Sequence, residues 1–333
     1  MNEKVLFIRL RLLGDIVFTI PAVQLYKKKY PDSETYYAAE QRFREAAEII
    51  PGIDKVISLP DRMSWREMAR FGRLMRQENF QTVIDFHSGP RSALLTFLSG
   101  AKIRVGYRTP NRNWAYNRLV PRKTGSTPSH SVYSQARLLI PLGIEVKEIP
   151  PYPGITIQEE QVSDHVRKAV EADKKIVIHI GAKKRYRDWG IKKFASLIEI
   201  LTEEKFSVFL IGKGETEENR AKVLKDRFGL HDFTGSLSIR EIIFLISRSD
   251  VYFGADSGPL HLASLTRTPI VALYGPNIPE ISGPHRQEKV KVIQKKLDCI
   301  PCPQKSCKFE EVKCMEGIGV EQVHQAIKKL MRS

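Results

Sequence analysis

Residues 250–274 read DVYFGADSGPLHLASLTRTPIVALY. Asp250–Gly254 has the length and the aromatic and β-branched content of a buried strand. Pro259 is pre-organised for the first turn of a helix that runs to Thr266. Ile270–Tyr274 is apolar throughout and reads as the next strand. A strand, a tight turn, a helix and a second strand in so short a span make a unit of a parallel sheet covered by helices.

Outward from that unit the alternation continues. In the second half Lys175–Ile180 and Ser207–Ile211 read as strands, and Lys192–Glu203, Glu215–Phe228 and Ile239–Ser247 as helices. Val320–Met331 closes the chain as an amphipathic helix. In the first half the strands are Val5–Leu10, Glu34–Ala39, Val56–Leu59 and Thr82–Phe86. A turn at Leu13-Gly14-Asp15 leads into a helix through Tyr30. Further helices are expected at Gln41–Ile50, Trp65–Glu78, Arg91–Leu98 and Ser131–Leu142. From Gly106 to Ser131 the chain turns polar, basic and dotted with aromatics, as a loop region does. Ile149-Pro150-Pro151-Tyr152-Pro153-Gly154 interrupts regular structure and serves as a linker. The expected architecture is two doubly wound, Rossmann-like α/β domains, residues 1–150 and 151–318, facing across a cleft. A closing helix at 319–333 is free to pack back on the first domain. Ligands in such sheets sit at the carboxyl ends of the strands.

Size and charge agree with two soluble domains. A chain of 333 residues exceeds what one core usually organises. No apolar run approaches the ~18 residues needed to cross a bilayer. The N-terminal stretch reads as a first strand, not as a signal peptide, so a cytoplasmic location is expected. The net charge is +16, and residues 1–150 carry 24 Lys and Arg against 14 Asp and Glu. Such a surface attracts nucleic acid, anionic lipid or phosphorylated substrates, or simply keeps the protein soluble.

Three segments carry the chemistry. In the first, Gly254 through Ala263, Ser257 or Gly258 caps a helix whose free N–H groups can receive phosphate oxygens. Asp256 precedes that helix, and His261 lies in its first turn; a plain capped helix with a core histidine is the other reading. The second, His179-Ile180-Gly181-Ala182-Lys183-Lys184-Arg185-Tyr186-Arg187-Asp188-Trp189, follows a strand with a run of cations. It suits a diphosphate clamp or a solvated basic loop. In the third, Gly14-Asp15 ends the first strand, where Asp15 can be a general base or a helix cap. Gly212-Lys213-Gly214-Glu215 lacks the third glycine of a dinucleotide fingerprint. No P-loop, zincin motif or nucleophile elbow occurs.

All four cysteines, Cys299, Cys302, Cys307 and Cys314, lie within 16 residues. Their spacing fits a structural metal knuckle, with zinc the natural ion, and equally fits free or paired thiols. Four protein ligands would close such a site to catalysis.

Taken in order, these segments resemble the ADP-heptose:lipopolysaccharide heptosyltransferase family, whose fold is GT-B. Asp256 through Ala263 resembles its D-[ST]-G-x-x-H-x-[AT] signature. Gly181 through Trp189 resembles its P-G-A…K-x-W loop, and Arg9 through Pro21 its R-x-x-x-x-G-D-x-x-x-x-x-P start. Arg91–Leu95 and Leu273–Pro276 also read like family segments, and the cysteine cluster is similar to one that many members carry. The resemblance implies inverting transfer of heptose from ADP-heptose to the inner core of lipopolysaccharide. It implies Asp15 as base and no catalytic cofactor. It assigns Gly181, Ala182, Arg187, Glu215, Asp256, Ser257, Gly258 and His261 to the nucleotide and its phosphates. The family usually has lysine where Arg187 stands and proline where Ile180 stands, so another nucleotide-sugar or acceptor is an alternative. The implied partners are a nucleotide-diphosphate-sugar, a lipid-linked oligosaccharide and an anionic membrane surface, met by Arg62, Arg66, Arg70, Arg73 and Arg76. The implied place is the inner face of the cytoplasmic membrane, with peripheral attachment.

Two other classes remain as alternatives. A basic nucleic-acid-binding protein would use the charge and the Trp114/Tyr116 loop, although nucleic acid is not the expected partner. A non-catalytic sensor would keep the nucleotide-sugar site without turnover.

Overall fold

The computed structural model describes residues 3–122, 129–181, 184–285, 288–309 and 311–332. The chain divides into two compact units, Met1–Tyr152 and Pro153–Ser333, and the break falls within the proline-rich linker.

The first unit holds a parallel sheet of β1 (Lys4–Ile8), β2 (Glu34–Glu40), β3 (Lys55–Leu59), β4 (Thr82–Asp85), β5 (Ile103–Tyr107) and β6 (Arg118–Val120). Their order is β3-β2-β1-β4-β5-β6. The second unit holds β7 (Lys175–His179), β8 (Ser207–Ile211), β9 (His231–Asp232), β10 (Val251–Ala255), β11 (Ile270–Tyr274) and β12 (Val290–Gln294). Here the order is β12-β11-β10-β7-β8-β9, the same winding counted from the unit's own first strand. Central strands buried on both faces need apolar side chains throughout, and Val5–Ile8 and Val251–Ala255 are buried at every position.

Helices cover the sheets where their apolar stripes dictate. Helix Trp65–Gln77 buries Met68, Gly72 and Met75. A Cβ on Gly72 would lie 2.7 Å from Leu98 Cδ1, so glycine permits the close approach to helix Pro90–Leu98. In the second unit Trp189, Phe194 and Phe253 pack edge to face in the core. The sequence reading set the closing helix apart and let it pack on the first domain. Helix Val320–Arg332 belongs to the second unit, where it buries Val323, Ala326 and Ile327. His324 Nε2 also sits 3.0 Å from Glu204 Oε1.

Several expected elements change at their ends. Arg9 and Leu10 leave β1, and Gln41–Ile50 resolves into a 3₁₀ turn and a short helix, Arg44–Glu48. Ser131–Leu142 is α-helical only to Ala136; the remainder is 3₁₀, because Pro141 cannot donate to an α-helical ladder. The region between Gly106 and Ser131 is not all loop, since it contains the end of β5 and the three-residue β6.

Candidate functional site

In a sheet wound this way the crossover direction reverses between two neighbouring strands, and the crevice beyond their carboxyl ends is the natural ligand site. The reversal lies between β1 and β4 in the first unit and between β7 and β10 in the second. Asp15 lies near the first of these points, and Gly181, Arg187, Asp256, Ser257, Gly258 and His261 near the second.

In the second unit β7 delivers His179 and β10 leads into Asp256 and Ser257. His179 is buried, with Nδ1 3.1 Å from Ser257 Oγ and Nε2 3.4 Å from Glu217 Oε2. Ser257 precedes helix Gly258–Ala263 but does not cap it with its side chain; its hydroxyl donates to Ala255 O at 3.0 Å. Gly258 is the first residue of that six-residue helix, and His261 is buried within it. The expected cap is therefore replaced by a bond to His179.

Arg187 is held from two sides. Its Nη1 lies 3.1 Å from Asp256 O and 3.2 Å from Asp256 Oδ2, and its Nε donates to Gln304 Oε1 at 3.1 Å. Asn277 donates to the same Asp256 carboxylate. Burial pushes the Asp256 carboxyl above its ordinary value, against the pull of Arg187, Asn277 and Lys184. Arg187 Nη2 has no protein partner among the described residues, so the guanidinium is anchored with donors to spare.

Gly181 closes this crevice, whereas Ala182 lies outside the described residues. A Cβ on Gly181 would stand 2.1 Å from Glu217 Cδ, so any other residue would push that carboxylate aside. Glu217 also accepts from Lys213 N–H at 2.9 Å. Burial raises its pKa, but the His179 bond, the Lys213 N–H and Arg220 bring it below the ordinary carboxylate value. Glu215, the expected nucleotide contact, is exposed at the start of helix Glu215–Phe228. Two residues further on, Glu217 turns inward. The two lie about 200° apart around the helix axis.

In the first unit Asp15 is the third residue of helix Leu13–Val17, with no side-chain cap at that helix start. Its carboxylate pairs with Arg9, whose Nη1 donates to Phe86 O at 2.9 Å, so Asp15 sits at the β1/β4 reversal. Beyond β4, buried Asp85 accepts from His87 N–H at 2.9 Å, Ser88 N–H at 2.8 Å and Tyr116 hydroxyl at 2.8 Å, which fixes the turn. His87 is driven down to about 3 by burial and by the guanidiniums of Arg9, Arg11, Arg91 and Arg122. Arg91 pairs with buried Glu40 and donates to Asp61 O at 2.7 Å. Sequence reasoning missed Arg9 as an anchor, named His179 in its segment without a role, and missed His87, Glu217, Asn277 and Gln304 altogether. Only position relative to strand ends marks the two histidines.

For the four cysteines the sequence leaves a structural metal and free or paired thiols open. Cys299, Cys302, Cys307 and Cys314 are free thiols lining one cavity of about 170 Å³. Among the described residues no three His, Cys, Asp or Glu side chains are arranged to hold a metal ion. Two of the thiols meet backbone. Cys302 Sγ accepts from Gln304 N–H, and Cys307 Sγ donates to Glu311 O, both at 3.4 Å. Cys314 is buried in a short helix, Lys313–Glu316.

Comparison with known proteins follows the same outline. The model of glycosyltransferase family 9 (heptosyltransferase) matches residues 68–313. Lipopolysaccharide heptosyltransferase 1 of Pseudomonas aeruginosa is 24% identical over 322 residues, covering 92% of this chain and 88% of its own. The structure of Escherichia coli ADP-heptose lipopolysaccharide heptosyltransferase II superposes with a TM-score of 0.82 at 18% identity, covering 99% and 98% of the two chains. A family 9 glycosyltransferase from Veillonella parvula gives 0.83 at 21%, covering 99% and 97%. The fold is thus GT-B, and the nucleic-acid-binding alternative falls to the family match. With the match spanning most of its length, the chain belongs to glycosyltransferase family 9.

Proposed function

We propose that this enzyme moves heptose from ADP-heptose to the inner core of lipopolysaccharide, with inversion. The observation that carries the reading is Arg187, pinned to Asp256 and Gln304 at the β7/β10 reversal with N–H donors left over. A guanidinium so held takes the charge of a departing diphosphate without reorganising. Backbone around Asp256–Gly258 and the Glu217 carboxylate complete the donor crevice. Asp15, oriented by Arg9, removes the proton of the attacking sugar hydroxyl. The new glycosidic bond forms as the bond from the anomeric carbon to the diphosphate breaks, and ADP leaves. The mechanism asks for no catalytic cofactor.

The acceptor is lipid-anchored, and the reading places the enzyme at the inner face of the cytoplasmic membrane. No described helix is long and apolar enough to cross a membrane. Helix Trp65–Gln77 supports peripheral attachment. Arg66, Arg70 and Arg73 point away from its buried face, and Trp65 is 83% exposed. Arginine with interfacial tryptophan suits an anionic headgroup layer.

The deciding test is calorimetry with ADP-, GDP-, UDP- and TDP-sugars, followed by mass spectrometry of an incubated acceptor. Binding of ADP-heptose and a product one heptose heavier are expected. Preference for another nucleotide sends the enzyme to a different donor, and donor binding without product leaves a sensor.

A further inference from the structure

The four-cysteine segment has no part in the reaction described, yet it reaches the donor crevice at one residue. Gln304 lies between Cys302 and Cys307, and its amide bonds in two directions. Oε1 accepts from Arg187 Nε at 3.1 Å, and Nε2 donates to Asn277 Oδ1 at 2.8 Å. Asn277 in turn donates to Asp256, which pairs with Arg187. Arg187, Gln304, Asn277 and Asp256 thus form a closed ring of four side chains, each fixing the next.

The segment is built to hold Gln304 there. Its backbone is left-handed, with φ +59°, a conformation a non-glycine residue adopts only when its surroundings hold it there. Three bonds fasten the neighbouring chain: Gln304 N–H to Cys302 Sγ at 3.4 Å, Cys302 N–H to Pro276 O at 2.9 Å, and Tyr186 hydroxyl to Lys305 O at 3.1 Å. Pro276 follows β11 and Tyr186 precedes Arg187, so the segment is tied to both loops that frame the crevice. The bond also depends on the residue type at 187. A lysine there has no counterpart of Nε–H, and its single ammonium cannot face Gln304 while keeping the fixed fork of donors.

We propose that Gln304 is a positioning residue for donor binding: it sets the Arg187 guanidinium, and the cysteine segment serves the donor site by presenting it. The proposal rests on the reading of Arg187 as the diphosphate clamp.

The test is a double-mutant cycle on the full chain, with ADP as the calorimetric probe. Gln304→Ala should weaken ADP about tenfold, as expected for loss of a hydrogen bond to a charged group. Gln304→Met, which keeps length and volume, should lose the same amount. In an Arg187→Ala background Gln304→Ala should have no further effect, because nothing remains to be positioned. Equal, additive losses in both backgrounds would show that Gln304 matters only for the fold of its segment and would overturn the proposal, as would undiminished binding by Gln304→Ala. Wild-type protein that binds none of ADP, GDP, UDP or TDP sinks the donor reading and this proposal together. Wild-type binding with an unaffected variant sinks this proposal alone.

Discussion

The Arg220 guanidinium grips the Asp188 carboxylate through two N–H···O bonds of 2.9 and 2.6 Å, one residue beyond Arg187. The carboxylate also accepts from Gly190 N–H at 3.1 Å. Helix Glu215–Phe228 thereby clamps the exit of the loop after β7, and with it the direction from which Arg187 enters the crevice. Asp188→Ala should cost about 2 kcal/mol of stability, since Arg220 is left without its bidentate partner. It should also weaken ADP several-fold. Urea unfolding and calorimetry read the two effects separately.

Asp15 and Arg9 make a pair in which only the carboxylate is asked to take a proton. Asp15→Asn should lower kcat by about 10²–10⁴, the range for loss of a general base, and leave donor affinity unchanged. Arg9→Ala, which frees the carboxylate without removing it, should fall short of that loss. A transfer assay beside calorimetry decides; full activity in Asp15→Asn would take the residue out of the mechanism.

Gly181 gives a test of the crevice by crowding. The Cβ of Gly181→Ala would collide with Glu217 Cδ, 2.1 Å away, and the carboxylate must swing aside. Core overpacking costs about 1–3 kcal/mol, but the atoms met here belong to the far end of a flexible side chain. Because Glu217 is a long side chain, the loss should appear mainly in nucleotide affinity and little in melting temperature. Donor titration and thermal unfolding of the same variant measure both.

His87 predicts the shape of the acid limb of stability. Its folded-state value is depressed from 6.5 to about 3 by burial and four guanidiniums. As pH falls below 6.5 the unfolded chain binds a proton that the folded chain refuses, so stability present above 6.5 is lost toward pH 3. His87→Gln removes this term. Its urea midpoint should fall less than that of the wild type between about pH 7 and about pH 4.5, and parallel losses would refute the assignment.

The arginines of helix Trp65–Gln77 make a prediction about vesicles. Each arginine near an anionic surface contributes about 1 kcal/mol, screened by salt. Replacing Arg66, Arg70 and Arg73 by Glu should lower co-sedimentation with phosphatidylglycerol vesicles about a hundredfold at low salt. Transfer to a soluble, delipidated acceptor should be unaffected. Wild-type binding that is indifferent to salt would count against an electrostatic contact.

The architecture was legible where strands are long and buried. Val251–Ala255, Ile270–Tyr274 and Ser207–Ile211 fell within a residue of their expected ends, because unbroken apolar runs have no other place in a sheet. The strands that escaped are marginal ones. β6 and β9 have three and two residues, β12 is half exposed, and β5 carries Arg104 and Gly106. Of the site, sequence order exposed the glycines, Asp256 and Arg187, which sit next to strand ends. It could not show that Glu217 faces inward, since that depends on how the helix is rotated against β7 and β8. Nor could it connect Gln304 with Arg187, 117 positions apart. The four cysteines do line one cavity, since short loops keep thiols that are close in the chain close in space.

That each half of the chain repeats one winding order has a consequence for how the enzyme can change. Either crevice is edited through loops at the carboxyl edge of its own sheet, while the register and core of the other half stay untouched. Recognition at the two crevices can therefore drift independently, and grafting one half onto a relative's partner half is a rational route to new glycosides.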